Sequence, residues 1–541
     1  MNLPAHATDQ RRFVTAPLTL WMDRLMTVLI RLGGVLVITA VLGIFVFIFM
    51  QVVPLFRAAA VKELRTVQLP DARYEILAMD EWGAKPLLVE PDGSLMVVDY
   101  ASGEARDVAL PTEVPEVTAA FFNKREGKLM LGTADGRFLM LDPGYASRVV
   151  DGNPVVSIEP KASAPRAIGT PGLPVLDVAY GDSGRAKLVV ALQSDGESNT
   201  VSAELFRRKR TLMGLGAEES VGSFDLTPLV GGRPEKLLVP TTGDSVVVIT
   251  EGGRVTYLGL KAEGGFEVLQ TFRPFEDLEL PHINAAAFIF GDVSIAFANE
   301  SGENRIFSLY YPAGASQRVF GLTQQFPALG SSPVLIATTL RNKAFLLGGG
   351  DRLSLRYRTT ETVRWEARVP YRVAEAAING KYSRMAVLDE SNRLHFYELD
   401  DPHPDSGWRA LFGKVWYEGA AQPQWKWQST GGSDDFEPKY SLIPLLFGTI
   451  KGTVYAMLFS VPIALLAALY TSQFLDPNFR SVVKPTMEIM ASLPSVVLGF
   501  LAAIYIAPLI ERQIPSLLLV VAGLPVVAAA FGWGWSLLPI R

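Results

Sequence analysis

The sequence contains no cysteine. That absence removes disulfides, thiolate zinc sites, iron–sulfur clusters and cysteine nucleophiles in one step. Histidine is nearly as scarce. His6, His282, His395 and His403 are the only four in 541 residues, and none forms an HExxH or H-x(3–5)-H pair. A histidine metal site would have to be assembled from distant residues. Charge is thin as well: 19% of residues are charged and 49% hydrophobic, whereas soluble domains carry about 25% charge. The formal charge is −5 and no block of five or more Lys/Arg occurs, so nucleic-acid binding fits badly. The G-x-S-x-G elbow, the G-x-x-x-x-G-K-S/T phosphate loop and the D-x-D-x-D-G calcium loop are all missing. No catalytic constellation stands out, and no cofactor or metal is implied.

Long apolar runs are what the chain has instead. Four uncharged stretches, Leu32–Phe56, Gly452–Phe474, Ile489–Ile510 and Gln513–Ile540, exceed the roughly 20 residues a helix needs to cross hydrocarbon. The first begins too late and runs too long for a cleaved leader, so it reads as an anchor. Arg11, Arg12, Arg24 and Arg31 precede it against Asp9 and Asp23, which favours a cytoplasmic N-terminus. Alternation then puts residues 57–440 outside, the Leu475–Glu488 loop with Arg480 and Lys484 inside, Glu511–Arg512 outside, and Arg541 back inside. Lys451, at the edge of the second run, reads as a snorkelling cation or an intramembrane functional charge. Pro444, Pro462, Pro494, Pro508, Pro515 and Pro525 punctuate these runs, and some must kink a span.

Between the first and second runs, residues 60–410 read as strand after strand. One unit recurs, an apolar strand, a tight turn and a second apolar strand. The turns centre on Asp92-Gly93, Asp135-Gly136, Asp195, Gly252, Gly302, Gly350 and Ser391, separated by 41 to 60 residues. Paired strands at such a period are the signature of a β-propeller, whose radial repetition leaves only short strand edges. Seven hairpins predict seven blades; six or eight blades, or an irregular sandwich, are the alternatives. Gly348-Gly349-Gly350 leads from strand to strand and reads as a hairpin turn, not a phosphate cradle. Asp400-Asp401 and Asp434-Asp435 read as solvated loop acids. The basic cluster Arg207-Arg208-Lys209-Arg210 reads as a solvated loop or an attraction for an acidic partner. Trp408, Trp416, Tyr417, Trp425 and Trp427 crowd the approach to the second run. They are either an interfacial belt or core aromatics closing the outer domain.

The C-terminal hundred residues carry a specific string. Ser441–Leu466 reads SLIPLLFGTIKGTVYAMLFSVPIALL and Lys484–Pro508 reads KPTMEIMASLPSVVLGFLAAIYIAP. This resembles the permease subunit of bacterial phosphate ABC transporters (PstC-like). That family has a P-x-x-x-G-T-x-x-x-T approach, a Val-Pro in the next helix and an E-x-x-A-x-(I/L)-P-S-(I/V)-V-x-G segment. The matching positions are Pro444, Gly448, Thr449, Thr453, Val461 and Pro462, then Glu488, Ala491, Leu493, Pro494, Ser495, Val497 and Gly499. They shape helices and carry no chemistry themselves.

The resemblance implies a membrane-spanning subunit of an ATP-driven phosphate importer in a bacterial inner membrane, with its large domain in the periplasm. Its implied partners are a second permease subunit, a cytoplasmic ATPase subunit and a periplasmic phosphate-binding protein, besides membrane lipid. It implies no enzyme activity on this chain. The outer insertion resembles the long-form members. The family's ATPase-coupling loop and later helices are not present before Arg541, so the chain is expected to be C-terminally incomplete or one part of a split permease. The expected fold class is about four α-helical membrane spans plus an all-β, seven-bladed propeller-like periplasmic domain. The expected order is a cytoplasmic segment (1–25), a first transmembrane helix (26–56), the propeller (57–410), an interfacial aromatic-rich segment (411–440) and a partial permease domain of three spans (441–541). The competing reading is a membrane-anchored propeller serving as a periplasmic binding or assembly scaffold or sensor.

Overall fold

Each recurring hairpin alternates apolar runs around a turn that needs positive φ, and those turns fix where strands pair. Gly136 adopts φ +80°, and a Cβ there would meet the carbonyl oxygens of Thr170 and Leu173 at 3.0 Å. In the last hairpin Asn392 takes the same left-handed role at φ +57°, which asparagine tolerates better than most residues. A computed structural model of the chain describes residues 17–108, 110, 114–150, 153–211, 214–262, 264–493 and 495–537. His6, Asp9, Arg11, Arg12, Pro494 and Arg541 lie outside the described residues. The described chain divides into two compact units, Met1–Leu446 and Phe447–Arg541.

All seven predicted hairpins are the middle strand pair of a blade in a seven-bladed β-propeller. An inner and an outer strand flank each pair. Blade 1 spans 76–108, blade 3 175–225, blade 4 234–272, blade 5 283–326 and blade 6 335–368. Blade 2 (117–167) is irregular. Two short strands, Lys161–Ala162 and Arg166–Ala167, share its outer position beside an inserted hairpin, Ala146–Val150 with Asn153–Ser157. Gly350 sits in the turn between Ala344–Gly349 and Arg352–Tyr357, as expected of a hairpin.

Blade 7 closes the ring. Its inner three strands come from 373–400, and its outer strand, Ala60–Gln68, comes from the other end of the domain. Ala60 pairs with Asp400 and Gln68 with Arg393, antiparallel. His395 links the two segments: Nδ1 lies 3.0 Å from Thr66 Oγ1 and 3.1 Å from Glu63, and Nε2 lies 3.2 Å from Asp389. The ring also stacks on Tyr371. Apolar clusters fill the gaps between blades. Leu77, Leu88 and Met96 of blade 1 pack with Ala377, Leu388 and Phe396 of blade 7, and Val67 of the closing strand joins them. Burying each such side chain contributes roughly 1.5–3 kcal/mol.

Because Ala60 pairs with Asp400, the chain enters and leaves at one face of the ring. Leu399 N–H donates to the Ser383 carbonyl, so the loops joining first to second strands lie on that same face. Arg364 binds both tethers there. It donates to the Arg57 carbonyl at 2.8 Å and pairs with Asp401 at 2.6 Å. The expectation for Asp401 is thereby corrected: its side chain is fully buried, because Arg364 and the Tyr382 hydroxyl satisfy it.

Outside the propeller the apolar runs are helical. Helix α1 (Pro17–Val52), extended by a 3₁₀ turn to Phe56, begins well ahead of the uncharged run. After the short α2 (Trp408–Phe412) come α3 (Ile443–Gln473) and α4 (Pro477–Ser492). Next are α5 (Ser495–Leu501), a π-helical turn (Ala502–Ile506) and α6 (Ala507–Ser536). The described residues contain three helices long and apolar enough to cross a membrane: Pro17–Phe56, Ile443–Gln473 and Ser495–Ser536.

Four spans were expected, and the last two runs account for the difference. They share the 42-residue stretch Ser495–Ser536, with Glu511-Arg512 in mid-helix instead of a loop. The π turn supplies the reason, since its register shift accommodates the missing N–H of Pro508 without ending the helix. At 1.5 Å per residue the stretch is roughly 63 Å long, about twice the hydrocarbon thickness. The predicted loop Leu475–Glu488 is largely helix α4, whose start Asp476 caps by accepting the Asn478 N–H at 2.9 Å.

Candidate functional site

Two places combine unusual chemistry with exposure: the signature helices and the face of the ring where the chain enters and leaves. Pro444 occupies the first turn of α3, where its missing N–H costs nothing. Thr453 Oγ1 donates to the Thr449 carbonyl at 2.8 Å, one turn back. Pro462 lies inside α3, Glu488 on α4, and Ser495 and Gly499 on α5. A Cβ placed at Gly448, Gly452 or Gly499 would meet nothing within 4 Å. From Gly448 a ridge of small residues continues at every fourth position through Gly452, Ala456, Ser460, Ala464 and Ala468, all exposed. Such ridges let helix backbones approach closely in lipid. The family string drew notice to Gly448 alone, and the four-residue spacing of the others was the signal overlooked.

In the ring, the pairing register slips by one residue at the same place in the inner strand of five blades. A bulge re-aims the side chain that follows it. Three bulges end on ionisable groups, Asp177, Lys236 and Glu375, from blades 3, 4 and 7. Lys124 of blade 2 joins them, its Nζ reaching the Thr338 carbonyl of blade 6 across the centre. Burial pushes the Asp177 carboxyl up to about 6, against the opposing pull of Lys236 and of the Leu237 and Val178 N–H donors. Burial draws the Lys124 amine down to about 8, opposed by Glu375. Sequence reading missed this set, although Asp177 and Glu375 were visible as single charges inside apolar inner strands.

A cavity of about 640 Å³ opens among the loops that join first to second strands, lined among others by Asp80, Lys124, Tyr145 and Arg341. Asp434 and Asp435 contribute to its wall from the segment after blade 7; both lie in a turn, Asp434 exposed and Asp435 half-buried, as expected of solvated loop acids. That segment, 415–441, is strapped to the ring by buried ion pairs. Glu418 pairs with Lys343 at 2.6 Å and accepts from Ser294 at 2.7 Å. Glu437 pairs with Arg358 at 2.8 Å, accepts from Thr359, and receives the Glu418 N–H at 2.8 Å. Burial raises the Glu418 carboxyl, but Lys343 and Arg358 outweigh it and hold the group below the usual carboxylate range. Of the aromatic approach, Tyr417 is buried and Trp416 half-buried, with its Nε1 on the Ala420 carbonyl. Trp408, Trp425 and Trp427 are exposed.

Arg208 of the basic cluster is neutralised by Asp182 and Glu218 at 2.9 and 2.5 Å, and the side chains of Lys209 and Arg210 are outside the described residues. No group of three or more metal-ligating side chains occurs among the described residues.

No family model matches the chain. Among curated proteins, it is similar to the probable ABC transporter permease protein YqgH of Bacillus subtilis, 31% identical over 79 residues. That match covers 14% of this chain and 25% of the relative. It is also similar to the phosphate transport system permease protein PstC 1 of Mycobacterium bovis and of Mycobacterium tuberculosis. Each is 27% identical over 124 residues, covering 23% of this chain and 32% of the relative. The chain thus spans a quarter to a third of the curated relatives it matches. Among solved structures, the Cps50 (Swd1) β-propeller domain of Myceliophteria thermophila matches with TM-score 0.43 and 11% identity. It covers 63% of this chain and 100% of that one.

Two outcomes are expected. Lys343→Met leaves Glu418 buried and unpaired, so chemical denaturation should show a loss of about 3–5 kcal/mol, most of it recovered in Lys343→Met/Glu418→Met. The second concerns pH. A raised carboxyl favours the fold when protonated, so its contribution is complete below pH ~4 and is lost as pH rises through about 6. Melting temperature followed from pH 4 to 7 should therefore fall less in Asp177→Asn than in the unmodified chain.

Proposed function

We propose that this chain is a membrane-spanning permease subunit of an ATP-driven phosphate importer in a bacterial cytoplasmic membrane. The observation that carries the reading is the partial similarity to YqgH and PstC 1, supported by three long apolar helices and the signature string of α3 to α5. The order of regions follows: cytoplasmic N-terminus, α1 across the bilayer, the propeller in the periplasm, and residues 441–541 as the permease portion. Hydrolysis belongs to a separate cytoplasmic ATPase, and a periplasmic binding protein delivers phosphate. The chain itself supplies helices, and transport proceeds as those helices and a second permease subunit open the pathway first outward, then inward. Pro462 kinks α3, and Gly448, Thr449, Gly452, Thr453 and Gly499 supply the close-packing surface for partner helices. Pro444, Glu488 and Ser495 shape the helix ends around them, and Pro494 belongs to the same family string.

The test uses a strain lacking the gene, complemented with the native or altered chain together with whatever follows it in the genome. Radiolabelled phosphate uptake should depend on the chain, and the ATPase and second permease should co-purify with it. Gly448→Leu/Gly452→Leu should reduce uptake and co-purification about tenfold, equivalent to roughly 1–2 kcal/mol of helix association, while the propeller's melting is unchanged. Uptake indifferent to deletion, with soluble periplasmic proteins as the co-purifying species, would instead support a membrane-anchored scaffold.

A further inference from the structure

Helix α2 occupies a place that constrains its surroundings. It lies between the end of one apolar helix and the start of another. The Phe56 ring sits 4.7 Å from Trp408, Ser406 Oγ donates to the Leu55 carbonyl at 2.6 Å, and Leu442 N–H donates to the Leu411 carbonyl at 2.8 Å. Leu55 and Phe56 end the first apolar segment, and Leu442 precedes Ile443, the first residue of α3. Wherever those two helices leave hydrocarbon, α2 is at that level.

The surface around it is aromatic and uncovered. Trp408 is 71% exposed, Trp425 45%, Trp427 41% and Phe412 40%. Trp408 stacks on Phe412 at 5.6 Å, and Trp425 Nε1 donates to the Phe412 carbonyl at 3.0 Å, so these three rings form one patch held in place, while Trp427, two residues beyond Trp425, packs against Tyr440. Lys414 lies over the Trp425 ring at 4.7 Å, and Lys426 is exposed between the two tryptophans. Arg409, from α2 itself, pairs with Glu361. Indole rings flanked by cations favour the headgroup layer, where an apolar ring body and a polar N–H or ammonium are satisfied together.

We propose that Trp408, Phe412, Trp425 and Trp427, with Lys414 and Lys426, form a membrane-docking surface that seats the propeller's entry-and-exit face on the lipid headgroup layer. The occupant is lipid and not another protein, because the patch is continuous with the ends of two helices that themselves require lipid. The docking rests on the reading that α1 and α3 cross a bilayer. It turns the cavity lined by Asp80, Lys124 and Arg341 toward the membrane.

The experiment reconstitutes the full chain in vesicles of zwitterionic and anionic phospholipid, some brominated on carbons near the headgroup. Nine tryptophans are present, so Trp21→Phe, Trp533→Phe and Trp535→Phe are combined to silence those of the long helices. Bromolipid quenching of that background, shielded from aqueous acrylamide and lost on adding Trp408→Phe, Trp425→Phe and Trp427→Phe, is the expected result. Quenching by acrylamide alone would overturn the docking by placing the patch in water. Shielding from both quenchers would overturn it by placing the patch under protein. Comparing the unmodified chain with the background reads Trp21 and the α6 tryptophans. Their failure to be quenched by bromolipid would defeat the membrane reading itself, separately from the docking.

Discussion

The antiparallel pairing of Ala60–Gln68 with Arg393–Asp400 is the constraint from which the rest of the outer unit follows. A ring of blades with short interblade cores has no large central core to hold it, so each gap must be filled and the last must be closed. Closure by an N-terminal strand joins residues 325 to 340 positions apart. It costs little more loop entropy than a shorter bridge would, since that cost grows only with the logarithm of length. In return, blade 1 gains a partner for Leu77, Leu88 and Met96, and the ring presents no unpaired first or last strand.

Closure by this route also decides where the tethers go. An outer strand paired antiparallel to the last strand begins where that strand ends, so α1 and the segment leading to α3 meet at one face. Arg364 makes the meeting a bond, joining the Arg57 carbonyl to the Asp401 carboxylate. The strap 415–441 then has a fixed origin, and its two glutamates find Lys343 and Arg358 on blades 6 already in place. Buried pairs of this kind add modest net stability but penalise any other seating of the strap, because an unpaired buried charge is expensive.

The propeller was legible in the sequence because its middle hairpins carry two strong local signals, alternating apolar runs and turns that demand positive φ. All seven turn positions, from Asp92-Gly93 to Ser391, fall between the second and third strands of a blade. The inner and outer strands were not legible: strands such as Ile76–Ala78 and Ala105–Val108 are three or four residues long and lack a pattern of their own. The closing strand Ala60–Gln68 was hidden for another reason, since its partner is remote. Charge in a loop or on a strand reads as solvent exposure, which is why Asp401 was taken as a solvated loop acid and why Lys343, Arg358 and the group formed by Asp177, Lys236, Glu375 and Lys124 passed unnoticed. In the last hundred residues composition revealed apolar length but not where helices turn, and proline was a poor guide. Pro508 is absorbed by a π turn, and Glu511-Arg512 continues the helix.

Closure of the ring is open to a direct measurement because the chain has no cysteine of its own. Lys62 and Glu398 are directly opposed across the closing pair and both exposed, and such partners have Cβ atoms about 4.5–5.5 Å apart. With Lys62→Cys and Glu398→Cys in the full chain in membranes, mild oxidation should form an intramolecular disulfide. The result would be a loop of more than 330 residues and a faster-migrating, reductant-sensitive species. Arg352→Cys/Arg368→Cys, an opposed pair within blade 6, serves as the reference for cross-linking efficiency. Cross-linking of the closing pair as complete as the reference is the predicted result. A reference pair that cross-links while Lys62→Cys/Glu398→Cys stays reduced would contradict closure, and with it the single face on which both tethers meet.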